Sequence, residues 1–202
     1  MNLIGLTGGI GSGKTKVAAV FETLGIPVYE SDSKAKYLMN TNEEIRKKII
    51  DLFGPESYNA DDELNRPWIA SRVFSDHEQL EKLNAIVHPA VYKDLLEWTT
   101  EPHHNSAPYL IQESAILFEE NLTRRLNAII LVVAPEELRI SRVIARDNVT
   151  REDVLQRIKL QWPDEKKISS SDYVIYNDGE RSLITQIRDI DTMIRSQGLS
   201  VG

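Results

Sequence analysis

The sequence predicts an α/β protein built on a mainly parallel, five-stranded sheet. Three observations predict it. Five short apolar runs are separated by segments of helical periodicity. The strongest run, Ala128–Ala134, is apolar without alternation, as in a strand buried on both faces. Residues 3–29 read as strand, helix, strand, about the length that a parallel crossover needs.

The elements follow in order. The first strand is Leu3-Ile4-Gly5-Leu6-Thr7, cut off by Gly8-Gly9. Val17, Val20, Phe21 and Leu24 recur at helical spacing, and Gly25 sits where a C-terminal cap glycine belongs. Ile26-Pro27-Val28-Tyr29 reads as the second strand and runs into Glu30-Ser31-Asp32. Ile45, Ile49, Leu52 and Phe53 form the stripe of a helix closed by Gly54-Pro55. Asn59–Asn65 is polar and turn-like. Ser75 and Glu78 have capping-box spacing for a helix that carries Leu80, Leu83, Ile86 and Val87. His88-Pro89 is expected to break that helix and open another, with Val91, Leu95 and Trp98 on its buried face. Glu101–Pro108 has no periodicity and reads as a loop. Tyr109–Glu113, Ala128–Ala134 and Tyr173–Tyr176 supply strands three to five. Pro135 with Glu136 and Glu137 starts a helix as the dipole prefers, and Thr150 with Asp153 starts the next. Leu183, Ile187, Ile190 and Ile194 mark a last amphipathic helix, and the Gly198–Gly202 tail is expected to fray. The helical stretch between strands two and three, roughly residues 36–105, is long enough to be a lobe of its own.

Composition excludes several classes. Of 202 residues, 41% are hydrophobic, enough for a real core and too many for a disordered chain. The 24 basic and 31 acidic residues leave a net charge of −7, which argues against nucleic acid as a partner. A local cluster of Arg and Lys can still hold a small anionic ligand. Cysteine is absent, so disulfides and thiolate metal sites are excluded and a cytoplasmic location is expected. No apolar run approaches the roughly 20 residues of a membrane span, so no membrane is expected as partner. The residues Met1–Gly9 do not read as a secretion signal.

The chemistry begins at Gly8-Gly9-Ile10-Gly11-Ser12-Gly13-Lys14-Thr15, which matches G-x-x-x-x-G-K-[ST], the P-loop. Glycines let successive backbone N–H groups converge on a phosphate where a Cβ would intrude. The following helix points its positive dipole end at the same place. In this motif Lys14 reaches the β- and γ-phosphates and the Thr15 hydroxyl binds Mg²⁺. A chance glycine-rich turn is the alternative; a strand before and a helix after speak against it.

Two acids stand beyond strands that end on the same edge. Asp32 could orient an attacking hydroxyl and take its proton late, since phosphoryl transfer is largely dissociative. Equally, Ser31 or Asp32 could cap a helix over Ser33–Met39. Glu113, at the end of strand three, could hold Mg²⁺ directly or through water, or be a surface carboxylate. Arg139, Arg142, Arg146, Arg151 and Arg157 lie within nineteen residues. A solvated, ion-paired helix face is the default reading there. Arg139, Arg142 and Arg146 nevertheless share a face, and a helical hairpin after strand four could close as a lid whose guanidinium groups clamp phosphoryl oxygens. His88 reads either as a ligand residue or as a helix N-terminal residue before Pro.

Taken together, Leu6-Thr7-Gly8-Gly9-Ile10-Gly11-Ser12-Gly13-Lys14, the acid after strand two, His88-Pro89, Leu117-Phe118-Glu119 and Arg142…Arg146-Asp147 resemble the dephospho-CoA kinase family over about residues 2–179. The resemblance implies a three-layer P-loop kinase fold. Residues 1–35, 106–135 and 168–202 would form the nucleotide-binding core. Residues 36–105 would form a helical CoA-binding lobe, and 136–167 a lid. It implies transfer of the ATP γ-phosphate to the 3′-hydroxyl of the dephospho-CoA ribose, with ATP and Mg²⁺ required and a monomer or weak homo-oligomer as the working form. By position, Asp32, Lys14, Arg142 and Arg146 would be catalytic. Gly9, Gly11, Ser12, Gly13, Lys14, Thr15, Lys16 and Asn177 would hold the nucleotide. Thr7, Asp32, Arg66 and His88 would face the acceptor, and Thr15 and Glu113 the metal. The chain departs from the family in three places: Thr15-Lys16 replaces Ser-Thr, Glu30-Ser31-Asp32 replaces Asp-x-Asp, and Glu113-Ser114-Ala115-Ile116-Leu117 lacks the usual Pro. A nucleoside monophosphate kinase and a nucleotide-dependent switch are the alternatives.

Overall fold

The computed structural model describes residues 2–73 and 76–197. In chain order it contains β1 (Leu3–Gly8), α1 (Lys14–Thr23), β2 (Val28–Glu30), α2 (Ser31–Thr41), α3 (Glu43–Phe53), α4 (Arg66–Val73) and α5 (His77–Thr99). Then follow β3 (Leu110–Glu113), β4 (Ala128–Val133), α6 (Glu136–Asp147), α7 (Arg151–Lys159), α8 (Asp164–Ser169), β5 (Tyr173–Tyr176) and α9 (Leu183–Gln197). The chain divides into two compact units: Ser31–Glu101 forms one, and the chain on either side of it forms the other.

The flanking unit holds the sheet, in the order β2-β3-β1-β4-β5, with every pair parallel. Leu6 is level with Glu113 on one side and with Ile130 on the other. One face packs Ile4, Leu6, Ile111, Ile130, Val132 and Ile175 against α1 and α9 through Val17, Phe21, Ile187, Ile190 and Ile194. A smaller cluster of Ile140, Val143 and Val154 joins α6 to α7. All six residues of β4 are buried, as the unbroken apolar run requires. Because all strands run the same way, Gly8, Glu113, Val133 and Tyr176 end at one edge of the sheet, where α/β proteins bind ligands.

The inserted unit has its own core, built on Ile45, Ile49, Tyr58, Ile69, Leu83 and Val87. Helix α3 is capped by Asn42, whose side chain accepts the Ile45 N–H at 3.1 Å, and it ends at Gly54 with φ +93°.

Several expectations are corrected. α5 runs unbroken through His88-Pro89. Proline costs one helical hydrogen bond, but Leu83 and Val87 before it and Leu95 after it are all buried, and that packing keeps the helix whole. Ser75, expected as a cap, lies outside the described residues; the cap of α5 is Asp76, which accepts the Gln79 N–H at 3.2 Å. β2 begins at Val28 rather than Ile26, since Pro27 has no N–H to offer, although its carbonyl accepts Ile111 N–H at 2.9 Å. α2 begins at Ser31, so Asp32 stands inside the first turn rather than capping it. The expected loop 101–108 contains a short 3₁₀ turn at Pro102–His104. The Gly198–Gly202 tail lies outside the described residues.

Candidate active site

The site grows from the turn between β1 and α1. Gly13 precedes α1 with φ +95°, a left-handed conformation that L side chains rarely adopt, and a Cβ there would strike the Asn177 side-chain amide. Gly11, at φ +78°, lets the α6 backbone approach: a Cβ would meet the Arg139 carbonyl oxygen at 2.5 Å. The turn closes on itself through Ser12 N–H to Gly9 O at 3.1 Å. The amides of Gly11 and Gly13 have no hydrogen-bond partner among the described residues, which leaves them as donors for an anion.

Lys14 folds back over this turn. Its Nζ donates to Gly8 O at 3.0 Å and lies 3.9 Å from Glu113 Oε1, with both side chains about nine-tenths buried. A cation and a carboxylate therefore share the mouth of the sheet edge. Thr15 and Lys16, in the first turn of α1, are exposed. The hydroxyls of Thr7 and Ser12 are buried without a hydrogen-bond partner among the described residues. Thr7 has no accessible surface.

The arginines part company. Arg142 braces the turn: Nη1 lies 3.4 Å from both Gly11 O and Ser12 O, and Nη2 donates to Asn177 O at 3.2 Å and Oδ1 at 3.3 Å. Asn177, buried just beyond β5, completes the triangle with Nδ2 donating to Ser12 O at 2.7 Å. Arg139 is buried, with Nη2 3.3 Å from Asp164 Oδ2. Arg146 does not join them. Its side chain is 64% exposed and donates from Nε to Asp147 at 2.7 Å and from Nη2 at 3.0 Å. The hydrogen bonds from Arg146, and then those from Arg157, hold the Asp147 carboxyl below the usual range.

Asp32, Arg66 and His88 belong to the inserted unit. Asp32 is exposed in the first turn of α2, Arg66 is exposed at the start of α4, and His88 is half-buried in the middle of α5. The sequence reading missed the part played by residues 161–167. Gln161 Oε1 accepts the Ile10 N–H at 2.8 Å, and Glu119 Oε1 accepts the Trp162 N–H at 2.8 Å. Partners separated by 151 residues leave no local signal in the chain.

The dephospho-CoA kinase family model matches residues 2–182. The dephospho-CoA kinase of Bacteroides fragilis is 39% identical over 187 residues, covering 93% of this chain and 90% of that protein. A crystal structure from Thermus thermophilus aligns with a TM-score of 0.84 at 36% identity, covering 95% of this chain and 96% of that one. The dephospho-CoA kinase from Campylobacter jejuni aligns with a TM-score of 0.69 at 22% identity over 97% and 98% of the two chains, a likeness of fold.

Proposed function

Because the chain belongs to the dephospho-CoA kinase family, whose reaction is ATP-dependent phosphorylation of dephospho-CoA, we propose which of its residues carry that reaction. The observation that supports the assignment best is Lys14 held at Gly8 O and beside Glu113, over a turn with open amides. The Gly11 and Gly13 amides and Lys14 take the β- and γ-phosphates, and Gly9 and Ser12 shape the turn. Arg142 and Asn177 keep that turn rigid on the nucleotide side. Electrostatic groups fixed before the reaction need no reorganisation during it.

Asp32 orients the 3′-hydroxyl of the ribose. The oxygen attacks the γ-phosphorus, the bond to the bridging oxygen of ADP breaks, and the hydroxyl proton passes late to the Asp32 carboxylate. The support for Asp32 is its place in the chain, two residues after β2. Arg66 and His88 serve the acceptor side, and Lys16 the phosphate side. Arg146 reaches the phosphates only by releasing Asp147, a side-chain movement at the exposed end of α6.

Thr15 and Glu113 offer hard oxygen donors, the kind Mg²⁺ prefers together with retained waters, and Glu113 already neutralises a cation in this place. Mg²⁺ bound there supplies charge neutralisation to the β- and γ-phosphate oxygens. No helix among the described residues is long and apolar enough to cross a membrane. A cytoplasmic enzyme acting as a monomer or weak homo-oligomer, without nucleic-acid partners, fits the acidic, cysteine-free composition.

The test is a coupled assay with Mg-ATP and dephospho-CoA, with AMP and adenosine as competing acceptors. Preferential, Mg²⁺-dependent formation of CoA is expected. Preference for AMP would point to a nucleoside monophosphate kinase, and tight ATP binding without transfer to a switch. Asp32→Asn is expected to bind ATP normally and to transfer about 10²-fold more slowly, the lower end of the range for general acid–base catalysis. An unchanged rate would remove Asp32 from the chemistry.

A further inference from the structure

Residues 161–167 hold the phosphate turn from outside, and nothing in the preceding roles uses them. Gln161, between α7 and α8, spans two loops with one side chain. Its Oε1 accepts the Ile10 N–H at 2.8 Å, and its Nε2 donates to Ala115 O at 3.3 Å. Only a side chain with an acceptor at one corner and donors at the other can do both. Ile10 lies within the phosphate turn, and Ala115 lies two residues beyond Glu113. The segment carrying Gln161 is itself fixed. Trp162 N–H donates to Glu119, and the Trp162 ring stacks on Phe118 with centroids 5.6 Å apart. Asp164 pairs with Arg139, whose guanidinium occupies the space a Cβ on Gly9 would need.

We propose that Gln161 is a positioning residue for nucleotide phosphates: it fixes the Ile10 peptide, and with it the orientation of the turn that presents the Gly11 and Gly13 amides. The proposal rests on the P-loop assignment above. An unfixed Ile10 N–H would seek another acceptor, and rotating that peptide turns the neighbouring donors away from the phosphate. The tie to Ala115 couples the same turn to the loop that follows Glu113.

The experiment compares the whole enzyme with Gln161→Met, which keeps the volume and removes both hydrogen bonds. Gln161→Asn, which keeps the amide but withdraws it by one methylene, serves as a milder second variant. Three quantities are read: amide hydrogen exchange at Ile10, the dissociation constants of ATP and of adenosine, and KM for each substrate. Both variants should lose protection at Ile10. Both should bind ATP about three- to tenfold more weakly, the scale of one hydrogen bond. Adenosine affinity and the KM for dephospho-CoA should stay within about twofold, because the hydrogen bonds lost act only on the phosphate turn. Faster exchange at Ile10 with unchanged ATP affinity would overturn the proposal, as would an equal loss for ATP and adenosine. If the unmodified enzyme binds no ATP, the P-loop assignment fails instead, and the exchange result still reports on the hydrogen bond.

Discussion

Lys167 has no accessible surface, and its Nζ lies 3.0 Å from Glu119 Oε1. Lys167 Nζ has no hydrogen-bond partner among the described residues, so the attraction is chiefly between opposite charges, which depends little on direction. At this separation the gross attraction is about 5 kcal/mol for an effective dielectric constant of about 20. Glu119→Gln removes the charge while keeping a carbonyl oxygen for the Trp162 N–H. It leaves a buried ammonium unmatched, which should cost about 3–5 kcal/mol. That corresponds to roughly 10 °C in the unfolding of this unit. Urea unfolding followed by Trp162 fluorescence, with Trp68 and Trp98 replaced by Phe, reads the unit that contains the pair. Adding Lys167→Met to Glu119→Gln should return most of the loss, because the uncompensated charge is gone. A cost below about 1 kcal/mol for Glu119→Gln, or no recovery in the double variant, would refute the view that the pair is a buried charge match.

Other outcomes follow from the same geometry. Lys14→Ala should lower turnover by about 10²–10³-fold, the scale of one lost transition-state donor, in the acceptor assay; near-normal turnover would defeat the phosphate role of the turn. Gly13→Ala should cost about 1–2 kcal/mol of stability through its φ of +95° and should weaken ATP binding by displacing Asn177, both measurable by thermal unfolding with and without nucleotide. Tyr109 is buried and donates to Asp191 at 2.7 Å; burial first, then that hydrogen bond, push its phenol far above the usual range. A raised folded-state value means this contribution is complete below the unfolded value near about 10 and is lost as pH rises past it. The folded parent and folded Tyr109→Phe should therefore show equal phenolate absorbance at about pH 10.5, while the unfolded parent should exceed unfolded Tyr109→Phe by about three-quarters of a phenolate, the ionised share of a free phenol half a unit above about 10.

How much the chain disclosed depended on how local each feature is. The sheet was legible because parallel strands buried on both faces leave unbroken apolar runs, and Ala128–Val133 is such a run. The phosphate turn was legible because one short stretch supplies its glycines, its lysine and its hydroxyl. Pro89 misled because local propensity favours a break there, while burial on both sides of it favours continuity. α4 and α8 went unseen because eight and six residues give little periodicity to read. The shared face of Arg139, Arg142 and Arg146 was drawn correctly on an ideal helix. Only the first two meet the turn and its surroundings, while the last pairs with Asp147 at the helix end. Gln161 and Lys167 act across long stretches of chain, and no window of sequence contains both ends of such a contact.

The inserted unit leaves the chain after Glu30 and returns at Pro102, and β2 and β3, the strands on either side, are direct neighbours in the sheet. Its apolar cluster is complete without residues from the sheet. In genetic terms Ser31–Glu101 is a cassette. Substitutions in its interior can accumulate, and its length can drift, with only the two junctions fixed by strand pairing. The phosphate turn, built from residues before and after the cassette, can therefore be inherited unchanged while the interior of the cassette drifts among descendants of this chain.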